Sequence, residues 1–576
     1  MLNQAYSQVN EIIIKIEPQS IEYQRILNQE NVFSDFIKAE NIISMKPAIS
    51  PKLILALSKK KMMPLSSMNV PKLNELSLYF KLTLRSNNDA EILAKKIGKL
   101  SFVQNAETIP QHRFIEFEIP NDPEITRQYY LESINAFEAW SQFQSNDTAI
   151  VAIVDTGIDL EHEDLKDNLF YNSGEMGFDE NGNDKRFNGL DDDGNGFIDD
   201  YVGWDFVASN FSGQDNMPTP GNSHGTHVAG IVAAVHNNSI GIAGVGRNIK
   251  LLPVKIGSDN PNDLTVRNQF DGVLYGALMQ ASVINCSWGS SSFSFLEQEI
   301  VDYITSEGVM IIGAAGNDGR ITAFYPASYK NALSVAAVGE NNVKTGFSNF
   351  HSTVDISAPG NGIISTVPSN AYQRLSGTSM AAPIVSAIAA MAKLLKPDYA
   401  PKQIFSLLKA TSTNLDSLQF ETRKGRIGNG KINMAKALSD TIVKFVEIID
   451  YELSTPFENS IIQPGDKINL NLKIENTLAE CENVVLSLSG SEPYPPIFST
   501  SQIEIGQMLQ NQQIEINDRI KITIPNSIPK DQQISIRINV DADGFRSSQL
   551  IAFNVNPSFR TLNHNKIAAS FNSRGN

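Results

Sequence analysis

AIVAIVDTGID, residues 149–159, is the stretch on which the fold turns. Six apolar residues run without a break into Asp155, where a strand with one wet face would alternate apolar and polar. The run therefore reads as a strand buried on both faces, the kind found in parallel sheets. Runs of the same character follow at KLLPVKI (250–256), VINCSWG (283–289), VMIIGAAG (309–316) and ALSVAAV (332–338). Helical stretches lie between and after them, one following His224 and a long Ala-rich one following Ser379. Alternation of this kind over residues 120–440 predicts an α/β fold, a parallel sheet with helices on both faces. In such folds catalytic groups gather at the carboxyl ends of the strands.

Outside this block the pattern changes. Upstream, EIIIKI (11–16) and SLYFKLTL (77–84) read as strands, the second aiming Leu78, Phe80, Leu82 and Leu84 to one face. A helix is expected over Asn88–Leu100, with Asp89 as its cap and Ile92, Leu93, Ile97 and Leu100 as its apolar stripe. FVQNAE (102–107) adds a short strand, and IPQHRFIEFEIPNDP reads as a linker. Residues 1–119 are thus an α+β unit with its linker. Downstream, seven strand-like runs recur with Gly, Pro and Asn turns, from IVKFVEII (442–449) to QLIAFNV (549–555). They predict an antiparallel β-sandwich over 441–557, followed by a polar, unpatterned tail at 558–576.

The 576 residues carry 47 Lys+Arg against 63 Asp+Glu, a net charge of −16 that would repel a phosphate backbone, so nucleic acid is not an expected partner. No run is expected to reach the ~18 apolar residues of a membrane span; GIVAAV and VMIIGAAG are short. The start, MLNQAYSQ, has neither the charged nor the apolar region of a signal peptide, which leaves a leaderless chain and one that begins after a removed leader both open. Cys286 and Cys481 fall in different predicted domains, so no disulfide framework is expected.

Three segments hold the groups needed for nucleophilic acyl transfer. Asp155 ends the strand in VAIVDTGID, His224 opens a helix in NSHGTHVAG, and Ser379 opens another in SGTSMAAP. A serine hydroxyl needs a base to take its proton, and that base needs a carboxylate to fix its tautomer. Singly, each residue has a plain structural use, as a turn Asp or a helix cap. Together and in this order, the segments resemble the signatures of the subtilisin-like serine proteases, the subtilases, over residues 120–440.

That resemblance implies that Asp155, His224 and Ser379 form a triad, with His227 packed inside its helix rather than acting as base. A zinc site at the two histidines is not expected, because residue 225 is Gly where HExxH has Glu. Asn317 in IIGAAGNDG, otherwise a turn residue, matches the family's oxyanion-hole Asn, with the Ser379 backbone N–H as second donor. Substrate is expected as an added strand beside Ser287, Trp288 and Gly289 and near residues 260–266. Ala314, Ala315 and Gly316 resemble the family's S1 wall. Phe324 stands where the family often has a residue near the base of S1: pointing inward it would disfavour large P1 side chains, pointing outward it would be core.

Calcium is the expected cofactor, at two places. Between Asp155 and His224 lies the acidic insertion DENGNDKRFNGLDDDGNGFIDDYVGWDF, in which Asp191, Asp193, Asn195 and Gly196 follow the D-x-D-x-N-G order of an oxygen-ligand loop. Its twelfth position is Val202 rather than Glu, so Asp199 or Asp200 would have to close the shell; a merely solvated acidic loop is the alternative. HNNSIGI resembles the family's tight calcium loop, which implies Asn238, Ile240 and Ile242 as ligands together with Asp164, although one extra residue precedes Asn238. The N-terminal unit resembles subtilase propeptides, which implies a zymogen whose partners are extended polypeptide substrates and its own prodomain as inhibitor. A secreted or cell-surface endopeptidase is the expected function. The rival is a pseudoprotease or adhesion module working through the sandwich.

Overall fold

A computed structural model of the chain describes residues 11–27, 42–52, 54, 73–84, 90–108, 119–208, 213–263, 265–420, 423–439, 441–455, 461–490, 492–543 and 545–556. Asp89, the linker up to residue 118 and the tail from 558 lie outside the described residues. The chain divides into two compact units, Met1–Glu116 and Phe117–Asn576.

The first unit is a four-stranded antiparallel sheet built from β1 (Glu11–Ile16), β2 (Ile42–Pro47), β3 (Tyr79–Leu84) and β4 (Val103–Thr108), in the order β2-β3-β1-β4. Alternation puts Ile12, Ile14 and Ile16 on the same buried face as Phe80, Leu82 and Leu84. Helix α1 (Ile21–Leu27) and β2 carry no strong period and escaped the sequence reading, and Ser77 and Leu78, expected to open the strand, instead close a 3-10 helix over Leu73–Leu78. Helix α2 (Ala90–Ile97) covers the sheet with Leu93, Ala94 and Ile97, but Ile92 is 55% exposed. Leu93 and Ile97 stand one above the other at i and i+4; Ile92 is turned about 100° from Leu93 and cannot join them.

In the second unit β5 (Ala149–Asp155), β6 (Trp204–Asp205), β7 (Ile249–Lys255), β8 (Val283–Cys286), β9 (Met310–Ala314), β10 (Ala332–Val338) and β11 (Ile356–Pro359) form one parallel sheet in the order β11-β10-β9-β8-β5-β7-β6. Both faces are covered. Val151 and Ile153 of β5 pack with α3 (Ser223–Ala233), while Ala152 and Val154 join the core under α4 (Gln269–Leu278) and α5 (Phe295–Ser306). The long helix α6 (Thr378–Leu395) lies on the α3 side. It corrects one expectation, since its 18 residues have a mean hydropathy of 1.5, enough by length and composition to cross a membrane; 78% of them are buried in the core. Chain order places β5 centrally, with β6 and β7 on one side and β8 to β11 on the other. The reversal brings the carboxyl ends of β5 and β8 side by side, and ligands in such sheets bind at that crevice.

The sandwich pairs two antiparallel sheets. One holds β14 (Val446–Ser454), β15 (Lys467–Asn476), β17 (Ile497–Phe498) and β19 (Gln513–Thr523); the other holds β16 (Cys481–Gly490), β18 (Gln502–Met508), β20 (Gln532–Ala542) and β21 (Phe545–Val555), after a separate hairpin of β12 (Ile363–Val367) and β13 (Ala371–Leu375). Eight strands replace the seven expected, because β17 has only two residues and leaves no alternation to read. The sandwich is tied to helix α7 (Pro401–Thr411) by the buried pair Lys409–Glu447 and by Lys402–Glu475 at 2.7 Å. Cys286 and Cys481 are both buried and free.

Candidate active site

Asp155 is the last residue of β5 and is 2% exposed. Its Oδ1 accepts from the Thr156 N–H at 2.8 Å and lies 2.7 Å from His224 Nδ1. That contact assigns the proton to Nδ1 and leaves Nε2 as the basic nitrogen. His224 sits in the first turn of α3, whose N-cap Asn222 accepts from the His224 N–H at 2.9 Å. Its side chain keeps 31% exposure, so the ring is reachable from solvent. Burial pulls the imidazolium pKa down, but the charge and hydrogen bond of Asp155 more than offset it, and the net shift is upward.

His227 behaves differently. It is fully buried, its Nε2 lies 3.1 Å from the Ile363 carbonyl and 3.0 Å from that of Gln373, and burial lowers its pKa to about 4. It is a neutral ring pinned to the β12–β13 hairpin.

Ser379 lies in the first turn of α6 and is 8% exposed. Its Oγ donates to the Ser287 carbonyl at 3.0 Å, just past the end of β8. Its N–H sits at the positive end of an 18-residue helix. Asn317, beyond the end of β9, accepts at Oδ1 from both the N–H and the hydroxyl of Thr378, each at 2.9 Å. With its oxygen held in this way, the amide turns Nδ2 outward as a donor without a partner among the described residues. Cys286, adjoining Ser287, is no rival nucleophile: burial, reinforced by the charge of Asp155, pushes its thiol well above the usual range.

Phe324 turns toward Gly289 and Gly316, two of the residues expected to bind substrate. Ala314 and Ala315 are buried at the end of β9. A Cβ built on Gly289 would come within 2.7 Å of the Phe324 ring, and one on Gly316 within 2.9 Å. The ring therefore occupies the space between these two glycines, and Gly316 also needs its φ of +97°. Trp288 donates from Nε1 to the Val154 carbonyl at 2.8 Å and meets Phe270 edge-on at 6.0 Å. The neighbouring 260–266 segment, described except for residue 264, closes back on the sheet through the Gly257–Val266 bridge.

The calcium-type residues form two groups, each with a member the sequence reading missed. Asp164 is fully buried; its Oδ1 accepts from Asn238 Nδ2 at 2.8 Å and its Oδ2 from the Ile242 N–H at 3.0 Å and Tyr372 OH at 3.1 Å. Asp122, 1% exposed, faces the same loop and accepts from the N–H groups of Asn237 and Asn238. Burial raises the pKa of both, that of Asp164 to about 6, with the charge of Asp122 adding to the rise. Among the described residues neither carboxylate has a cationic side chain as partner. Two desolvated carboxylates beside one loop suit a cation. The expected ligand oxygen of Asn238 is turned away, accepting instead from the Ile240 N–H at 2.7 Å.

In the acidic insertion, carboxylate oxygens of Glu175, Asp193 and Asp200 lie within 4.8 Å of one another. Glu175 is fully buried, and its Oε2 has no partner among the described residues. An orphaned buried carboxylate oxygen beside two more carboxylates fits a bound cation. Asn172 donates to Asp193 at 2.9 Å and Asp200 at 2.7 Å, and Asn195 Nδ2 to Asp200 at 3.0 Å. The other expected ligands are used elsewhere. Asp191 accepts from the N–H groups of Gly194, Asn195 and Gly196, and Asp199 from that of Gly189. Nothing near Glu175 in sequence marks it, since only the fold brings it to the loop.

Comparison with known proteins places these residues in context. The profile described as Subtilase family matches residues 146–430. Thermitase of Thermoactinomyces vulgaris is 35% identical over 309 residues, covering 54% of this chain and 96% of that protein. A thermophilic serine proteinase of Bacillus sp. (strain AK1) is 33% identical, covering 53% and 66% of the two chains. Subtilisin BL of Lederbergia lenta is 39% identical, covering 41% and 82%.

Proposed function

We propose a triad mechanism for this chain, which belongs to the subtilase family and is a subtilisin-like serine endopeptidase. Ser379 Oγ attacks the scissile carbonyl after rotating from the Ser287 carbonyl to His224 Nε2, which takes its proton and later returns it to the leaving amine. Asp155 holds the imidazole and stabilises its charged form. Asn317 Nδ2 and the Ser379 N–H receive the developing oxyanion. The observation that carries this reading is the convergence of three sequence-distant motifs at the strand-order reversal, with His224 Nδ1 2.7 Å from Asp155 Oδ1. The test is inactivation by phenylmethylsulfonyl fluoride, with the adduct mapped by mass spectrometry. A sulfonyl group on Ser379 alone supports the assignment; modification elsewhere with activity lost would overturn it.

The substrate is an extended polypeptide lying along Ser287–Gly289, with a small P1 side chain, because the Phe324 ring fills the space between Gly289 and Gly316. Phe324→Gly is expected to raise kcat/KM for peptides with Leu or Phe at P1 by roughly 10–200-fold, the range a pocket of changed volume commands. P1-Ala peptides should change far less. Equal changes on both series would show that the ring does not set P1 size.

Calcium would be held by Asp122, Asp164 and the 238–242 loop at one site and by Glu175, Asp193 and Asp200 at the other, where it supplies positive charge that cancels carboxylate repulsion. At free calcium a hundred times Kd, one site adds about 2.7 kcal/mol to folding stability. EDTA should therefore lower Tm, and Glu175→Gln with Asp193→Asn should remove part of the difference. Identical melts in EDTA and millimolar calcium would refute both sites. The N-terminal unit, with a core of its own, acts as the inhibitor of a zymogen. Two sites of this kind suit a calcium-rich medium outside the cell.

A further inference from the structure

Pro383 leaves a gap in the hydrogen bonding of α6, beside the nucleophile itself. The carbonyl of Ser379 would ordinarily accept from the N–H of residue 383, and proline has none. A side chain from another element fills the gap: Ser287 Oγ donates to the Ser379 carbonyl at 2.9 Å. Because a carbonyl can only accept, the Ser287 hydroxyl has spent its proton there and must itself accept. Asn285 Nδ2, 2.9 Å away, supplies that hydrogen bond. The other end of the same amide, Oδ1, then faces Ser386 Oγ at 2.9 Å, and Ser386 lies two turns further along α6. The polarity of the Ser287 and Asn285 links follows from the orphaned carbonyl, and the one Ser386 proton is shared between Asn285 Oδ1 and the Ala382 carbonyl, 3.1 Å away.

The chain is dry. Asn285 and Ser386 are fully buried, Ser287 is 4% exposed and Ser379 8%. It therefore joins the end of β8 to α6 at two points, the Ser379 carbonyl and the Ser386 hydroxyl, away from bulk solvent. The first turn of α6 carries both the Ser379 hydroxyl and the Ser379 N–H, so a shift of that turn moves nucleophile and oxyanion donor together.

We propose that Asn285, held by Ser386, is a positioning residue for Ser379: through Ser287 it fixes the carbonyl that Pro383 leaves without a helical partner. This rests on Ser379 being the nucleophile. Asn285 touches no substrate, so its removal should act on the rate and not on binding. A displacement near 1 Å at a reacting group costs on the order of 10²-fold.

The experiment compares kcat, KM and Tm of Asn285→Ala, Ser287→Ala and the double variant on a P1-Ala peptide. Asn285→Ala should lower kcat roughly 10–100-fold with KM within about twofold. In the Ser287→Ala background the same change should cost nothing further in kcat, since both act through one hydrogen bond, while its loss in Tm persists. An unchanged kcat for Asn285→Ala, or kcat losses that multiply in the double variant, would overturn the proposal. Should Asn285→Ala not melt cooperatively, Ser386→Ala in the same two backgrounds decides by the same criteria. Ser379→Ala is the control for the premise: wild-type turnover there would refute the nucleophile assignment, a result separate from any outcome at Asn285.

Discussion

Ser379→Ala is expected to lower kcat by on the order of 10⁶-fold, the loss typical when the serine of such a triad is removed. The reason is chemical. His224 and Asp155 remain hydrogen-bonded but have no hydroxyl to activate, and Cys286 is buried with its thiol held neutral. What survives is the oxyanion hole and substrate binding, which keep a residual advantage of roughly 10³–10⁴-fold over water. KM should stay near its wild-type value, because the hydroxyl contributes little to ground-state binding. The N-terminal unit should also remain attached in Ser379→Ala preparations if its removal is self-catalysed. Turnover of the variant within tenfold of wild type would leave the triad assignment without support.

Asn317→Ala should lower kcat by roughly 10²–10³-fold, equivalent to about 2.7–4 kcal/mol of transition-state stabilisation. Thr378 already holds the amide oxygen with its N–H and hydroxyl, so Nδ2 is presented before substrate arrives. A donor placed in advance costs no reorganisation when charge develops on the carbonyl oxygen. The ground-state carbonyl gains little from it, and KM is therefore expected to change by less than about threefold. A variant that loses affinity while keeping kcat would assign Asn317 to substrate binding instead.

Strands β5 and β7 to β10 were legible because apolar residues dominate each of their runs, whereas β6 (Trp204–Asp205) and β11 (Ile356–Pro359) are too short to stand out and were not read. Asp155, His224, Ser379 and Asn317 stood out as candidates because each lies in a long motif that also fixes local backbone, at a strand end, in the first turn of a helix or in the turn after a strand. Elements without a period were not. Strands β2 and β17 and helix α1 are short and held by tertiary contacts, and Ile92 showed that an apolar residue next to a stripe need not belong to it. The apolarity of α6 was underestimated because Pro383, Ser386 and Lys393 interrupt its apolar runs, and only the mean over the whole helix is high.

Residue types at spaced positions along the chain were enough to nominate a nucleophile, a base, a carboxylate and an oxyanion donor, since the proposed chemistry tolerates few alternatives at each place. Contacts between distant segments followed no local rule. Asp122 reaches the 237–242 loop, Glu175 reaches Asp193 and Asp200, and Asn285 reaches Ser386, each pair joined by the packing of separate elements. Phe324 makes the same point: its direction was open until the backbones of Gly289 and Gly316 were placed around it. A side chain's identity states which bonds it can make; which of them it does make depends on the neighbours that burial leaves within reach, and those are set by how the sheet and helices close over one another.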